Sequence, residues 1–596
     1  MNTLRKNRLH SPAHPRSGSV LAVLLLFFLL AGCLPPAAGR LYREPVIPAN
    51  SAGAAGEPTR IVETAIPAVT AASEPQGKTS PTPTSAAVEP RLWIADSLPG
   101  DLQSQLSGLF KLVSTHPPVR FASGPEEANL RIEIAPAAAG QDWPVVTRWV
   151  YALAAPFPTV TDGVSLEDLQ KAWNGDFSDV FQDRQLLMSA ETLAVFERYW
   201  GPPDQRSVKV ADEESLLELA WQEQTAWAVI PFEAIEPRWK VLRVDGQSPL
   251  EKAFDPETYP LAVPVFLHGE EVVLQALPRD IHLTGNRDPD RLTTLTMTGV
   301  TALSRHIGER MESNGVTYPA QDIGPLLAQA DLTHISNEVS FFADCPTPGP
   351  LRADMRFCSH PKYIELLETA GADIIELTGN HNLDWGVQPY LDTLEMYRER
   401  GWMTFGGGAN LSEAEQPLLI EHNGNRLAFI GCSPAGPEPV WATADKPGSA
   451  PCNFDKLEGK IRQLRDDGYL PVVTLQHIET DGYLPSVAQG MPDFRRLARA
   501  GAVIVSGSQS HYPQTMTFVG SHFVHYGLGN LFFDQMEPEE IRAAFIDQHT
   551  FYDGRYLGVN LVTTLLEDYA KPREMSPAER SEFLETIFSL CRWNDP

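Results

Sequence analysis

At 596 residues this chain is too long for one hydrophobic core, so two or more domains are expected. Its apolar fraction of 43% and charged fraction of 21% are those of ordinary soluble globular protein. A formal charge of −29 argues against a nucleic-acid partner, which a basic face would have to meet, and is compatible with cations or neutral ligands.

The chain opens with Arg5, Lys6, Arg8 and Arg16, followed by the unbroken apolar run 20–30. That run has the length and flanks of a secretory leader, not of a transmembrane helix. It ends in Leu30-Ala31-Gly32-Cys33, which resembles the lipobox of bacterial lipoproteins. The resemblance implies removal of residues 1–32, acylation of Cys33, a lipid anchor in a membrane and an extracytoplasmic location. An ordinary cleaved leader is the alternative. Residues 33–90 are rich in Pro, Ala, Ser and Thr and bury too little apolar surface to fold, so they read as a disordered tether.

Residues 91–285 alternate short apolar runs with helical stretches, an α/β pattern. Leu130 to Ile134 alternates like a strand, Glu213 to Gln222 has helical spacing, and Ala226 to Ile230 and Trp239 to Val244 look like two further strands. Val164-Ser-Leu-Glu-Asp-Leu169 with Trp173-Asn-Gly175, and the region Ala226 to Leu261, resemble phosphate-type periplasmic substrate-binding proteins. The resemblance implies a periplasmic-binding-protein-like domain, acting either as a receptor for a phosphate or phosphoester or as a spacer or docking module.

Of the six cysteines, Cys345 with Cys358 and Cys432 with Cys452 are close pairs, and each would close a short loop worth ~3 kcal/mol in the chain-entropy picture. Four cysteines allow three pairings. A four-cysteine zinc site lacks its usual tight C-x-x-C knuckle here, which favours disulfides.

Residues 290–564 repeat one arrangement, in which an apolar run ends and a polar cluster follows at once. Leu295 to Thr298 leads into Gly299, and Leu332 to Ile335 into Ser336-Asn-Glu338. Asp373 to Thr378 leads into Gly379-Asn-His381, and Pro471 to Leu475 into Gln476-His-Ile-Glu479. Ala502 to Val505 leads into Ser506 to His511, and Phe523 to Tyr526 into Gly527-Leu-Gly-Asn530. If each run is a strand of an α/β sheet, each cluster lies at a strand's C-terminal end, where open α/β sheets build their sites. Lys362 to Ala370 and Leu391 to Arg400 supply covering helices. In the tail, 565–596, Ser576-Pro-Ala-Glu579 is a capping box with Pro at the first helical position, starting a helix through Leu590.

Glu338, Asn380, His381, His477 and His511 fall at the same relative place on successive runs. Imidazole, carboxylate and amide oxygen together suit one divalent metal such as zinc, manganese or iron. At these residues the sequence resembles the CapA family, named for poly-γ-glutamate capsule synthesis and allied in fold to calcineurin-like metallophosphoesterases. Asn337-Glu338, Gly379-Asn-His-Asn-Leu-Asp-Trp-Gly386, His477, Ser506 to Gln514 and Tyr526 to Asp534 carry the likeness, in order, across 292–534. It implies a metallophosphoesterase-like layered α/β domain, with Glu338, Asn380, His477 and His511 as metal ligands. It also implies that His381 is a general acid. Asp384, Glu479, Gln509 and Asn530 would orient these groups or touch substrate.

The chain departs from the family pattern twice. Val300 stands where an aspartate is expected, and Gln509 where a histidine is expected. The site is therefore expected to hold one metal or none. Two function classes follow. One is a metal-dependent hydrolase acting on an extracellular anionic polymer. The other is a non-catalytic polymer-binding or assembly factor working with capsule machinery.

Overall fold

The computed structural model describes residues 88–593 except 114, 116, 138–142, 178–179, 183, 224–225, 279–280 and 350–354. Cys33, the leader and all but the last three residues of the tether lie outside the described residues. Among the described residues no helix is long and apolar enough to cross a membrane.

Residues 91–285 build one mixed sheet. Its long strand Val145–Pro156 is antiparallel to Ala262–Gly269 along its first half and to Trp227–Pro231 and Trp239–Val244 along its second. Apolar residues line that strand on both faces, so it is central and buried.

The remainder builds two larger sheets and a two-stranded ladder between Gly407–Gly408 and Gly448–Ser449. The first consists of β1 (Leu292–Thr301), β2 (Leu332–Asn337), β3 (Ile374–Glu376) and β4 (Met403–Phe405). The second contains β5 (Leu418–His422), β6 (Asn425–Cys432), β7 (Leu470–Leu475), β8 (Ile504–Gly507), β9 (Met516–Val519) and β10 (His522–His525). The chain then returns to the first sheet with β11 (Asn530–Phe532), β12 (Ala543–Tyr552), β13 (Arg555–Glu567) and β14 (Lys571–Glu574). Strand order is β4-β3-β2-β1-β12-β13-β14, with β11 against β1, and β5-β6-β7-β8-β10-β9. The runs expected to share a sheet are thus divided. β1, β2 and β3 stand in one, and β7, β8 and β10 in the other.

Helices cover the sheets: α1 (Arg305–Asn314), α2 (Val387–Glu399), α3 (Phe454–Asp466) and α4 (Gly490–Ala500). The last, α5 (Pro577–Leu590), carries the full capping box between Ser576 and Glu579 and buries Phe583, Leu584, Ile587 and Phe588. The first sheet runs past residue 564 to Glu574, so the tail begins later than the sequence pattern suggests.

No sheet crosses the 285–290 junction among the described residues, yet residues 85–596 pack as one compact unit. Phe157 inserts between Phe518 and Phe523 at 5.0 and 5.7 Å, and Phe232 meets Tyr552 at 4.9 Å. Arg555 donates to the carbonyls of Glu233 and Ile235 at 2.8 and 2.7 Å. Disulfides join Cys345 to Cys358 and Cys432 to Cys452.

Candidate functional site

β1 does not end before Gly299, as the sequence suggests, but continues through Val300 to Thr301. It crosses the turn before β11 so closely that a Cβ on Gly299 would lie 1.9 Å from the carbonyl oxygen of Gly529. Val300, at the position of the expected aspartate, is fully buried in a small apolar cluster with Ala302, Val339, Phe357 and Phe533. One metal position is therefore filled by hydrocarbon.

Glu338 follows β2 and is only 2% exposed. Gly379 lets its loop press against it, since a Cβ there would sit 2.5 Å from the Glu338 Cα. Glu338 Oε2 has no hydrogen-bond partner. Burial raises its pKa above the ordinary carboxylate value, against the pull of His381 and Arg305. His381 shares a hydrogen bond between Nδ1 and Asp384 Oδ2 at 2.8 Å and lies edge-on to Phe357. Burial alone would lower the His381 pKa, but the Asp384 and Glu338 carboxylates outweigh it and hold the ring above its usual value. Asp384 also accepts the Phe357 N–H at 2.8 Å, so it fixes the loop as well as the imidazole.

From the facing sheet, Gln476 donates to Asn380 Oδ1 at 3.3 Å and to Gln509 Oε1. In its neighbour His477, Nε2 meets Asp493 Oδ2 on α4 at 3.0 Å, the ring lies 5.8 Å from Phe494, and Nδ1 is buried without a hydrogen-bond partner. Consecutive residues leaving a strand take opposite faces. Gln476 is the one that bonds Asn380 and Gln509.

His511 is held by a bond between Nδ1 and Asn530 Oδ1 at 2.8 Å, and its ring stacks 4.3 Å from Phe533. The Asn530 amide nitrogen donates to Gln535 at 3.1 Å, which leaves its oxygen to accept. His511 Nδ1 therefore carries the proton, and Nε2 keeps its lone pair. Burial pushes its pKa down to about 4. Glu479 Oε1 accepts the His511 backbone N–H at 3.0 Å; burial, with Glu338 and Asp481 nearby, pushes its pKa up to about 7. Glu376 and His525, also polar residues of the rim runs, lie inside the sandwich. Glu376 bonds His334 at 3.1 Å and Ser508 at 2.6 Å, and His525 bonds Asp547 at 2.7 Å.

The sequence pattern did not single out Arg305. It opens α1 in the left-handed region, at φ 49°, where a side chain is strained by about 1 kcal/mol or more. Its guanidinium pairs with Asp534, lies 4.6 Å over Phe533 and 4.9 Å over Phe357, and influences the charge of Glu338, His381 and His511. The only signal was Asp534 at the end of the Tyr526 to Asp534 motif.

The residues present do not fit a divalent cation. The groups here are the carboxylates of Glu338 and Glu479, Asp384 bonded to His381, three amides already bonded together and the His381 and His511 imidazoles, with the Arg305 guanidinium among them, and a fixed cation there opposes a second one. Among the described residues no group of three or more His, Cys, Asp or Glu side chains is placed to hold a metal. Of the expected ligands, Glu338, Asn380 and His511 lie in this group, while His477 bonds Asp493 through Nε2, and the local cation is Arg305.

Two facing sheets with helices outside and a polar rim at the strand ends define a layered α/β domain. Residues 294–535 match the family model described as "Bacterial capsule synthesis protein PGA_cap". The chain is 25% identical over 269 residues to the capsule biosynthesis protein CapA of Bacillus anthracis, covering 44% of this chain and 65% of that protein. It is 21% identical over 272 residues to the PGA biosynthesis protein CapA of Bacillus subtilis, covering 44% and 70% respectively. A probable polyglutamine synthesis accessory protein of Mycobacterium tuberculosis is 28% identical over 184 residues, covering 29% and 48%. The chain thus spans just under two thirds of the Bacillus anthracis relative's length. Among solved structures, an ABC-type phosphate transport receptor from Vibrio cholerae matches 31% of this chain and 88% of its own at 13% identity, with a TM-score of 0.25. An NAD nucleotidase from Haemophilus influenzae matches 51% and 57% at 10% identity, with a TM-score of 0.27.

Proposed function

We propose that this protein binds an extracellular anionic polymer of the poly-γ-glutamate kind during capsule synthesis, as a membrane-tethered assembly factor and not as a metal hydrolase. The relatives' names supply the polymer class, and the Cys33 lipobox supplies the tether. A cavity of about 450 Å³ beside the site carries the reading. It is lined by Arg305, Arg356, Phe357, Trp385, the Lys362–Glu312 ion pair and the Cys345–Cys358 disulfide. Arg356 lies 4.5 Å over Trp385 and donates to the Asp384 carbonyl at 2.8 and 2.9 Å, and meets no carboxylate among the described residues. In a chain of net charge −29, a cleft that carries Arg305 and Arg356 beside aromatic rings offers a polyanion local attraction.

The test is binding of purified poly-γ-glutamate to the full chain, with Arg356→Ala and Lys362→Glu as variants. Expected are binding that weakens at least tenfold in the double variant, falls with added salt and ignores a chelator, with the polymer's length unchanged. Chelator-sensitive shortening of the polymer, with stoichiometric metal in the protein, would overturn the reading.

A further inference from the structure

We propose that Arg305 is a built-in cation that replaces the metal at this site, and that it recognises an oxyanion with its guanidinium fork. This rests on the polymer-binding reading for the identity of the ligand, but not for the existence of the site.

The geometry is that of an anion receptor. The faces of the Arg305 guanidinium are packed by Phe533 and Phe357 at 4.6 and 4.9 Å, so its remaining hydrogen-bonding capacity lies in its plane. Asp534 takes Nη2, while Nε is buried and has no partner. Buried guanidinium N–H groups are seldom left without an acceptor, and a carboxylate or phosphate matches this fork. Glu338 Oε2, also without a partner, belongs to the same group. It is therefore available to hydrogen-bond a second polar atom of the same ligand.

The surroundings suit this cation. Val300 belongs to the apolar cluster whose Phe357 and Phe533 pack on Arg305. Gln476 and Gln509 satisfy each other as neutral amides. The strained backbone of Arg305 is held because Asp534 Oδ2 also accepts the His306 N–H at 3.0 Å. An ammonium at this position would keep the charge but lose the planar fork. Two sources offer the oxyanion: the carboxylates of a γ-linked glutamate chain, or a phosphate.

Isothermal titration of the full chain with γ-linked triglutamate and, separately, inorganic phosphate distinguishes the sources. The expected result is saturable binding of triglutamate, unchanged by chelator, at least tenfold weaker in Arg305→Met and intermediate in Arg305→Lys. Asp534→Asn serves if Arg305→Met does not fold. Freeing the guanidinium from its carboxylate should tighten oxyanion binding severalfold, whereas a purely structural arginine would leave it unchanged or weaker. Arg305-dependent binding of phosphate alone would keep the oxyanion site and overturn the polymer reading. Unchanged affinity in folded Arg305→Met, or stoichiometric metal in the purified chain, would overturn the inference while leaving the basic cleft to be judged by its own variants.

Discussion

Arg305 and Asp534 are 229 residues apart and form a buried ion pair at the edge of the site, with side-chain exposures of 9% and 6%. One Asp534 oxygen takes the guanidinium and the other caps the His306 N–H, so a residue arriving from β11 fixes the start of α1. Breaking such a buried pair from one side leaves an uncompensated charge and costs on the order of 3–5 kcal/mol. Positive charge is thereby part of the fold, not a property of a bound ion.

A first consequence concerns chelation. Binding a metal to the native state alone would raise stability by a few kcal/mol at saturating concentration. The melting temperature of the full chain is expected to stay the same after exhaustive dialysis against chelator and after addition of zinc or manganese, as read by calorimetry. A rise of several degrees with either metal would contradict the donor-set argument.

Glu479 sets a pH dependence. Its folded pKa of about 7 lies above the ordinary carboxylate value, so below pH 7 it is neutral in the native protein. Lowering the pH through 7 removes one negative charge near Glu338 and His511 and should strengthen binding of an anionic polymer. Titrations at pH 6 and pH 8 are expected to differ about two- to fivefold, a few tenths to about 1 kcal/mol. Glu479→Gln should reduce that difference, leaving the part due to His381, whose pKa is also held above its usual value.

His549 acts on stability with the opposite sense. Burial lowers its pKa to about 4, so across pH 4 to 6.5 it is neutral when folded and protonated when unfolded. The unfolded state binds more protons there, so stability is lost as pH falls through that window. The loss attributable to this one residue is on the order of 1–3 kcal/mol. Urea midpoints measured from pH 7 to pH 4 should fall less steeply in His549→Gln.

Gly299 tests the strand crossing. With a Cβ 1.9 Å from the Gly529 oxygen, Gly299→Ala must push β1 off the turn before β11. A loss of about 3 kcal/mol or more is expected, of the size of severe core substitutions, together with weakened anion binding because Asn530 and Asp534 follow that turn. Ala substituted at Gly424, in an exposed turn at φ 77°, serves as a control for backbone strain alone.

The two disulfides should separate stability from binding. Cys345→Ser with Cys358→Ser is expected to cost ~3 kcal/mol and to weaken polymer binding, because this bridge lines the basic cavity. The pair Cys432→Ser and Cys452→Ser should cost a similar amount, and polymer affinity of the folded protein should not change. Peptide mapping without reductant checks the pairing itself.

Much of this protein is legible in one dimension. Runs of apolar residues ending in Gly, Asn, His and Ser mark strands and their C-terminal rims, because hydrophobic periodicity and turn chemistry are local properties. The order of motifs from Asn337-Glu338 to Asp534 carries the likeness to the CapA proteins for the same reason, and the Ser576–Glu579 cap predicted where α5 begins. Other features depend on distances that no local pattern encodes. Which runs share a sheet is a matter of long-range pairing, and β1 to β3 and β7 to β10 separate only once two apolar faces have to be buried against each other. Whether Gln476 or His477 turns to the rim depends on the phase of the pleat as β7 exits its sheet, and shifting that phase by one residue exchanges the two. Arg305 was hidden because its meaning lies in Glu338, Phe357, Phe533 and Asp534, four residues from three separate segments that only packing brings around one guanidinium.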